Sequence, residues 1–516
     1  MTSPGPAAPV DVIVVGGGVA GLIAARECAR IGLSVTVLEA TDALGGPVAG
    51  HDLAGLHLDS GAESFAVRGG TVSAFVEDLG LTGSIVSPNP VGAWLHLPAL
   101  EPRAGAASVS VPLPKAGVLG IPGSPLADDV RAVIGWRGAL RAYLDRLMPV
   151  VTIGRAHSLG DLVRRRMGSL VLQRLVEPVA SGVYTASSAD LDVDIVAPGL
   201  NNALTKTGSL SGAVSFLRSG APAGSAVGGL LGGMSGLVSA LQAELTRFGV
   251  TVRTGTAVTG LRRDPGGPGG TDANTNAAAW TVTLAVPHTG DVAAPDRVAA
   301  PDSAELSARF VILATQGAQA LRLVHPVSAA LAELSALAWP TPTAVTLATL
   351  VLRTDALSHH PRGTGVLVSA DAPGVTAKAL THVTAKWPWV AELAGPGREV
   401  VRLSFGRANE VNPTDTLDND QLQALALADA GTLLGVPLSA DIVLGFARTD
   451  WRDALSPATI GSRQRAESVR EAVAATPGLG VTGAWLAGTG LASVIPDAIA
   501  AAAQIRRAAL DHSDKG

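Results

Sequence analysis

The chain has 516 residues, of which 47% are hydrophobic and 16% are charged. This length exceeds one ordinary domain and the apolar content suffices for a large core, so we expect two or three globular domains and exclude a disordered chain. A formal net charge of −5, without a dense run of Lys or Arg, argues against nucleic-acid binding. The single cysteine, Cys28, cannot form an intrachain disulfide, which predicts a reducing compartment such as the cytoplasm.

No part of the sequence predicts export or a membrane span. Residues 1–9 carry no basic residue and the apolar run after them ends in three glycines, so a secretory signal is not expected. The apolar stretch 481–505 contains Pro496 and Asp497, which a bilayer-crossing helix rarely keeps at its centre. Peripheral contact with a membrane surface stays open. Only five of the 38 basic residues are lysines, a bias that indicates a high-GC bacterial genome.

The first predicted elements form a β-α-β unit. Residues 10–15 are a continuous apolar run typical of a buried parallel strand, residues 19–31 have helical apolar spacing, and residues 34–38 form the next strand. The loop before the helix satisfies G-x-G-x-x-G and consists of Gly16, Gly17, Gly18, Val19, Ala20 and Gly21. Its glycines permit a tight turn, the approach of a pyrophosphate to the helix N-terminus, and close packing of helix on sheet.

An acidic residue completes this unit. Glu39 stands at the end of the second strand, 18 residues after Gly21, where its carboxylate can accept hydrogen bonds from ribose hydroxyls. An acidic side chain at this position disfavours a 2′-phosphate and hence NADP. We therefore predict dinucleotide binding rather than a purely structural glycine turn.

Further elements follow along the chain. Residues 126–202 are rich in Arg and carry apolar residues at spacings of three and four, which predicts a mostly helical insertion. Residues 237–248 predict a helix, and residues 250–253, 280–286 and 310–315 predict strands, with loops at 264–279 and 288–303. Long alternating or apolar runs at 344–352, 365–368 and 400–405 predict an antiparallel sheet.

Two motifs after the β-α-β unit carry a family resemblance. The sequence continues E-A-x-x-x-L-G-G from Glu39 to Gly46, and then D-x-G-A-E from Asp59 to Glu63. This beginning resembles the amine-oxidase-like FAD superfamily, which includes monoamine oxidases, phytoene desaturases and porphyrinogen oxidases. The resemblance favours FAD over NAD as the cofactor.

Later segments narrow the resemblance to the protoporphyrinogen and coproporphyrinogen oxidases. Residues 177–184 read E-P-V-A-S-G-V-Y, similar to the family's E-P-x-x-x-G-V-Y, and residues 233–237 resemble its G-G-M-x-x-L stretch. Residues 386–389 read K-W-P-W, as in bacterial members, residues 451–457 are similar to its W-x-x-A-L-P segment, and residues 483–499 resemble its closing flavin-binding sequence. The likeness covers most of the chain except 264–303.

The resemblance implies a fold class and a domain division. The fold is expected to be α/β, with a Rossmann-type FAD-binding domain assembled from discontinuous segments, an α+β substrate domain and a helical insertion. The FAD-binding domain would comprise residues 1–65, 226–325 and 445–516. The substrate-binding domain would comprise residues 66–92, 206–225 and 326–444, and the helical insertion residues 93–205.

The resemblance also implies which residues surround FAD. The glycine-rich loop and Glu39 would hold the adenosine diphosphate half, and Val258 would contact adenine through its backbone. Residues beside the ribityl and flavin portion would include Gly46, Gly61, Ala62, Glu63 and Ser64, and the remaining predicted cofactor residues are Ala40, Trp451, Ser493, Val494 and Ile495. A helix beginning just after Pro496 would point its N-terminus at the flavin and stabilise its anionic reduced form.

The sequence departs from the family pattern at a few positions near the expected flavin. Pro47 stands where many relatives carry a basic residue, so a side-chain contact from this position to the flavin is in doubt. Ala458, Thr459 and Ser462 stand where relatives often read Q-Y and a histidine.

The reaction that the resemblance implies is the oxidation of coproporphyrinogen III to coproporphyrin III in haem biosynthesis. A substrate hydride would pass to flavin N5 in each of three two-electron steps, and O2 would take the electrons with release of H2O2. No side-chain nucleophile is required, so no catalytic side chain is predicted, and the ten histidines show no metal-ligand spacing. Lys378 and Lys386 are candidate partners for the four substrate propionates. Actinobacterial haem synthesis and product handover to a ferrochelatase are further expectations.

Several alternatives stay open. The substrate could be protoporphyrinogen IX, since the two groups of enzymes share these motifs. The chain could be an amine oxidase or a carotenoid desaturase, although only two tyrosines, Tyr143 and Tyr184, are available for the aromatic cage that an amine oxidase needs. It could also be a non-catalytic binding protein on the same fold, like the prenyl-GTPase escort proteins, for which the departures at Pro47 and Ser462 are the support.

Overall fold

The computed structural model describes residues 10–67, 69–103, 106–115, 117–149, 155–219, 227–264, 280–285, 303–454 and 458–513, so most of the predicted loops 264–279 and 288–303 lies outside the described residues. The strands are β1 (Val10–Val15), β2 (Val35–Leu38), β3 (Gly50–Leu53), β4 (Leu56–Asp59), β5 (Phe65–Ala66), β6 (Ile85–Val86), β7 (Trp94–Arg103), β8 (Ala106–Pro112), β9 (Gly117–Val118), β10 (Ile121–Pro122), β11 (Val227–Leu230), β12 (Thr251–Arg253), β13 (Val258–Arg263), β14 (Trp280–Ala285), β15 (Ser303–Leu313), β16 (Thr343–Arg353), β17 (Gly365–Val368), β18 (Ala379–His382), β19 (Arg398–Phe405), β20 (Val443–Ala454) and β21 (Leu479–Val481).

The α-helices are α1 (Val19–Ala29), α2 (Thr71–Asp78), α3 (Asp128–Tyr143), α4 (Leu159–Met167), α5 (Ser169–Val171), α6 (Glu177–Tyr184), α7 (Val193–Val196), α8 (Leu200–Thr207), α9 (Leu210–Ser219), α10 (Ser235–Arg247), α11 (Gly317–Val324), α12 (Ala329–Glu333), α13 (Val383–Lys386), α14 (Pro388–Ala394), α15 (Asn419–Leu434), α16 (Ser462–Ala474), α17 (Ala484–Ala487) and α18 (Leu491–Ser513). Among the described helices, none is both long and apolar enough to cross a bilayer.

Sheet A is built on five parallel strands in the order β12-β2-β1-β15-β21. Its central strand β1 is almost entirely apolar because both of its faces are covered. In β1, Val12 and Val14 pack against α1, α10 and α18, whereas Ile13 and Val15 pack toward α11 and α16. The N-terminal half of β15 also pairs antiparallel with β14, which pairs with β13. The predicted α/β fold with a Rossmann-type unit is confirmed.

Sheet B has seven strands in the order β20-β16-β19-β18-β17-β7-β8, and its pairs are antiparallel except β17 with β7. The predicted runs 344–352, 365–368 and 400–405 lie in β16, β17 and β19. Helix α15 covers one face through an apolar core that includes Leu350, Leu403 and Leu427. The other face is turned toward the nucleotide-binding unit and supplies residues to the candidate site.

Helices α3 to α9 form a third body, the helical unit, around one apolar core. The helical insertion predicted at 126–202 therefore agrees with the structure, but the domain division needs correction. Strands β7 and β8 belong to sheet B, so the start of the insertion at residue 93 is too early. Helix α9 inserts Leu210 and Val214 into the helical core, so it belongs there rather than with the substrate domain. Strand β20 pairs with β16 in sheet B, which places residues 445–454 outside the FAD-binding segment.

The C-terminal helix begins earlier than the sequence predicts. Helix α18 begins at Leu491 and contains Pro496, rather than beginning after that proline. The Gly490 carbonyl accepts from the amides of Ser493 and Val494 to close the first turn. Pro496 follows this turn and has no N–H, so it cannot donate to the carbonyl of Ala492 four residues before it. The expected helix N-terminus at Asp497 is therefore wrong, since Asp497 instead pairs with Arg470 and accepts from Thr482.

A buried ion-pair network ties the helices on one face of sheet A together. The Arg26 side chain on α1 is only 3% exposed, and its guanidinium contacts Glu244 on α10 at 2.7 Å, Asp78 on α2 at 2.7 Å, and the adjacent Glu27 at 3.0 Å. Glu27 also pairs with Arg506 on α18 at 3.1 Å. One arginine thus joins three helices that are far apart in sequence.

We expect Arg26→Ala to lower the free energy of unfolding by about 3 kcal/mol, because it removes the buried cation that three carboxylates share and leaves Glu27 and Glu244 with only their more exposed arginine partners. Urea denaturation of the variant and the wild type measures this difference. Arg30→Ala is the matched control, because Arg30 contacts the same Glu27 but its side chain is 43% exposed, so the loss should stay below about 1 kcal/mol. Equal losses of unfolding free energy in the two variants would show that the buried ion-pair network around Arg26 does not stabilise the fold more than an exposed ion pair.

Candidate functional site

The predicted glycine-rich loop lies between β1 and α1, and packing explains two of its glycines. Gly16 has φ +110°, and a Cβ there would lie 2.6 Å from the carbonyl oxygen of Ala314 on the neighbouring strand. A Cβ on Gly21 would overlap the carbonyl oxygen of Gly16, so the helix can approach the loop only without a side chain. These glycines set the tight turn and the close packing of helix on sheet.

Gly18 is different because nothing crowds it. It is the N-cap of α1, no side chain caps the helix, and the first turn contains no acidic residue. A Cβ placed on Gly18 would meet no heavy atom of the described residues within 4 Å. Open space thus lies in front of a helix N-terminus whose first backbone N–H groups have no intrahelical acceptor, which is an arrangement suited to a phosphate group.

Glu39 closes one end of this loop. Its carboxylate accepts from the Gly17 amide at 2.6 Å and from the Thr41 amide at 2.9 Å. The Glu39 carbonyl accepts from Thr256 at 2.7 Å, which brings the segment leading to Val258 alongside. Val258 is buried and its carbonyl accepts from Gln319 at 3.0 Å, while Ala40 is exposed. The structure therefore brings the residues predicted at the adenosine end together.

A second loop follows directly beside the first. The Gly45 amide donates to the Gly17 carbonyl at 2.8 Å, and a Cβ on Gly46 would lie 3.6 Å from the Cα of Gly18. The Pro47 carbonyl accepts from the Ala62 amide at 2.7 Å. Pro47 departs from the family pattern in its side chain, but its backbone contacts the next predicted segment.

Gly61 lies where this segment contacts β20, the edge strand of sheet B. A Cβ on Gly61 would overlap the Pro47 carbonyl and would lie 3.1 Å from Cζ2 of Trp451 on β20. Gly46, Gly61, Ala62 and Trp451, which the sequence predicts near the flavin from separate motifs, thus lie in one place. Ser64 is half-buried at the end of the same segment.

Glu63 carries the charge at this end of the site. Its side chain is 10% exposed and lies between two cations, Lys386 at 2.5 Å and Arg402 at 2.8 Å. Burial acts to raise the pKa of the Glu63 carboxyl, but Arg402 and Lys386 together hold it below its ordinary value. The carboxylate therefore stays ionised and serves as a fixed anchor for both sheet-B cations.

Arg402 is the residue that sequence reasoning missed. It lies on β19, and its Nη1 donates to the carbonyls of Gly61 at 2.9 Å and Asp59 at 3.2 Å, so it fixes the D-x-G-A-E loop as well as Glu63. The sequence could have identified it, because Arg402 is the single charged residue inside the apolar run V-V-R-L-S-F. A charged residue within a core strand needs a partner, which here comes from more than 300 residues away.

The two lysines predicted to bind propionates have different surroundings. The Lys386 ammonium already has Glu63 as its carboxylate partner, so it does not offer an unpaired charge to a substrate. Lys378 is 1% exposed, and its Nζ donates to Thr185 Oγ1 at 3.0 Å. The two side chains thus lie in separate environments, and only Lys378 has a neutral partner.

The residues of α18 that the sequence predicts near the flavin differ in how deeply they are buried. Ser493 is half-buried, and its Oγ would lie 3.3 Å from a Cβ on Gly488. Val494 and Ile495 are buried in the core that α18 shares with α1, so their side chains serve packing and only their backbone could face a cofactor. Ser462, where relatives often carry histidine, accepts from Arg465 at 2.9 Å.

The pKa of Asp59, at the end of β4, gives a pH-dependent prediction. Burial raises the pKa of this carboxyl to about 6 from 3.8, against the opposing effect of the Met234 amide that donates to it at 2.8 Å. Between about pH 4 and 6 the folded protein retains a proton that the unfolded chain has released, so stability falls as the pH rises through this window.

We expect Asp59→Asn to remove this decline, since an amide oxygen can still accept from Met234 and does not titrate. The free energy of unfolding of the flavin-free protein, measured from pH 4 to 7 for both proteins, tests this. Groups other than Asp59 contribute equally to both curves, so the difference between them isolates the carboxyl. Parallel curves would show that Asp59 does not titrate in this range.

The residues present fit FAD. The uncrowded Gly18 at a helix N-terminus suits a pyrophosphate, the acidic Glu39 beside it suits ribose hydroxyls, and the Gly61 segment with Trp451 continues from that loop toward sheet B. Fold and site together define a dinucleotide-binding flavoprotein of the Rossmann type. The chain belongs to the flavin containing amine oxidoreductase family, whose members match it over residues 19–506. The predicted flavin cofactor and oxidoreductase class are thereby confirmed.

Individual relatives extend over nearly the whole chain. It is 26% identical to the coproporphyrinogen III oxidase of Bacillus subtilis over 95% of both chains. It is 29% identical to the coproporphyrinogen III oxidase of Propionibacterium freudenreichii over 98% of this chain and 93% of that protein. A crystal structure of a protein described as a protoporphyrinogen oxidase, from an Exiguobacterium species, superposes with a TM-score of 0.76 at 24% identity, covering 98% of this chain and 100% of the other.

Proposed function

We propose that this protein is an FAD-dependent oxidase that converts coproporphyrinogen III to coproporphyrin III in the cytoplasm, with O2 as electron acceptor and H2O2 as the second product. The observation that carries the proposal is the similarity, over more than nine-tenths of each chain, to relatives named coproporphyrinogen III oxidase. The resemblance of the motifs at 177–184 and 386–389 supports the same reaction. Product handover to a ferrochelatase stays a prediction.

The chain's own residues would hold and orient the cofactor. The N-terminus of α1 with Gly18 would bind the diphosphate, and Glu39 would accept from the adenosine ribose. FAD, when bound, supplies the hydride acceptor. Arg402 and the ion pair of Glu63 with Lys386 would hold the Gly61 segment rigid beside it. No side chain has to act as a nucleophile, so positioning and exclusion of water are the protein's contribution.

Anaerobic mixing of the FAD-loaded protein with coproporphyrinogen III tests the reaction. We expect loss of the oxidised flavin absorption band, followed by porphyrin fluorescence when air is admitted. Protoporphyrinogen IX is the parallel substrate, and a weaker response to it is expected. A faster response to protoporphyrinogen IX would reverse the substrate assignment. If neither porphyrinogen bleaches a bound flavin, the reaction is wrong, and a protein that cannot be reconstituted with FAD would be a non-catalytic relative.

We also propose peripheral contact with an anionic membrane surface through the helical unit. Helix α3 and the 3-10 turn Leu144–Leu147 that follows it expose Trp136, Leu140, Leu144 and Leu147, at spacings of three and four residues. Trp136 is 61% and Leu147 75% exposed. Arginines flank this face, with Arg131 stacked 4.2 Å from the Trp136 ring centroid. An exposed apolar stripe with basic neighbours is typical of helices that lie on anionic lipid surfaces.

Co-sedimentation with vesicles tests the membrane contact. We expect the protein to sediment with phosphatidylcholine vesicles that contain phosphatidylglycerol, and Trp136→Ser with Leu147→Ser to abolish this. Val411→Ser is the matched control, because Val411 is 87% exposed but lies outside the helical unit, so it should sediment like the wild type. A wild-type protein that stays in the supernatant with these vesicles would rule the contact out.

A further inference from the structure

A cavity of about 330 Å³ lies where the helical unit meets the other two bodies. It is bordered by the end of α6, the segment before β16, the turn after β19 and the start of α16. Its wall includes Thr185, Trp339, Asn409, Thr459 and Arg465. Of the described residues that line it, Asp190 is the only carboxylate. Because threonine, asparagine and arginine side chains also line it, the cavity is polar.

Lys378 stands directly behind the cavity wall. It is almost fully buried, and Thr185 Oγ1 is the partner of its ammonium at 3.0 Å, with no carboxylate paired to it among the described residues. Burial and the nearby Arg407 lower the pKa of Lys378 to about 7. Because the Thr185 oxygen accepts from Lys378, the Thr185 hydrogen can donate toward the cavity. An anion in the cavity would thus be bound by a hydroxyl, and its negative charge would favour the protonated form of the lysine behind that hydroxyl.

Arg465 supplies a second basic group in the wall of the cavity. Its guanidinium donates to Thr459 Oγ1 and to Ser462 Oγ, both at 2.9 Å, and to the Ile460 carbonyl at 3.2 Å. These partners are neutral, and no ion pair of Arg465 occurs in the part of the chain that the structure describes. Its Nε is buried without a hydrogen-bond acceptor. The Arg465 side chain is half-buried, and this desolvation lowers the pKa of its guanidinium, so a ligand that supplied a negative charge would stabilise the cation.

We propose that this cavity is a carboxylate-binding subsite, in which Arg465 and the Lys378–Thr185 pair hold one anionic arm of a tetrapyrrole substrate. The inference rests on the proposed function for the identity of the ligand, and on the geometry alone for its carboxylate chemistry. Two basic groups with neutral partners meet at one cavity, and a propionate would supply the missing charge to both. Charge-assisted hydrogen bonds from an arginine to a carboxylate are among the strongest available.

Binding of the oxidised porphyrin tests the subsite without requiring turnover. The FAD-loaded protein is titrated with coproporphyrin III and with its tetramethyl ester, in which every carboxylate charge is removed, and the bound fraction is followed by porphyrin fluorescence. We expect Arg465→Gln and Lys378→Met each to weaken binding of the acid by about 10-fold or more. The ester should bind both variants and the wild type alike. Arg322→Gln, which alters a separate cavity, is the control and should bind the acid like the wild type.

Two results would overturn the subsite: variants that bind the acid as tightly as the wild type, or variants that lose affinity for acid and ester equally. Flavin absorption and the unfolding temperature report whether a variant is folded. If Arg465→Gln or Lys378→Met does not fold, Arg465→Lys or Lys378→Arg is measured in its place. If the acid and ester differ as expected but no porphyrinogen is oxidised, the subsite stands and the proposed function fails. If porphyrinogen is oxidised but the variants do not discriminate between acid and ester differently from the wild type, the subsite is wrong and the proposed function stands.

Discussion

Gly18→Asp is expected to fold like the wild type and to bind FAD at least about 100-fold more weakly, a loss of roughly 2.8 kcal/mol in binding free energy. The backbone at Gly18 has φ −69° and ψ 171°, which any residue adopts, and a Cβ there meets nothing within 4 Å. Aspartate is a preferred N-cap residue, so helix α1 should not be weakened. The new carboxylate would stand where the pyrophosphate is predicted to bind, and the two negative charges would repel.

Flavin content after purification and titration of the flavin-free protein with FAD measure this effect, with the unfolding temperature as the readout of folding. Gly18→Asn is the matched control, because it has nearly the same shape and also caps a helix but carries no charge. We expect the asparagine variant to lose part of the affinity and the aspartate variant to lose much more. Wild-type affinity in Gly18→Asp would show that the pyrophosphate does not bind at this helix.

Arg402→Met is expected to lower the free energy of unfolding by about 3–5 kcal/mol and to reduce flavin retention. Among the described residues, Glu63 would remain buried with Lys386 as its one remaining cation, and the carbonyls of Gly61 and Asp59 would lose the hydrogen bonds from Arg402. Because the Gly61 segment borders the predicted flavin position, the loss of order there should weaken the cofactor site as well as the fold.

Chemical denaturation and flavin content test this expectation. Arg353→Met, on the neighbouring strand of the same sheet, is the control, because Arg353 is exposed and its loss should change stability by less than about 0.5 kcal/mol. Combining Arg402→Met with Glu63→Gln removes both buried charges of the pair and should recover part of the stability. If Arg402→Met matched the control, the buried network would have no structural role.

The parts of the site that the sequence predicts are those formed by local patterns. The turn at Gly16, the close approach at Gly21 and the position of Glu39 each depend on spacing within one β-α-β unit. For that reason G-x-G-x-x-G between a strand and a helix identifies them without a structure. Strands β16, β17 and β19 of sheet B are predicted in the same way, because each is a continuous apolar or alternating run.

The parts that the sequence does not predict depend on pairing between distant segments. Glu63 and Lys386 are 323 residues apart, and Arg402 reaches the Gly61 carbonyl across 341 residues. Nothing local distinguishes Lys386, which has a carboxylate partner, from Lys378, which does not. The domain boundaries are misplaced for the same reason, since the strands at 94–112 and 443–454 are assigned to sheet B by their neighbours and not by their own composition.

The packing of α18 on α1 has a consequence for how the protein is made. Glu27 on the first helix and Arg506 on the last are 479 residues apart, yet they contact each other in the same layer of side chains. A chain growing on the ribosome presents the apolar face of α1 long before α18 exists to cover it. At ordinary elongation rates of about 5–20 residues per second, that interval lasts roughly 25 to 95 seconds. The nucleotide-binding unit therefore cannot be completed until α18 has been made, and the demand for chaperones should be set by this delay rather than by final stability.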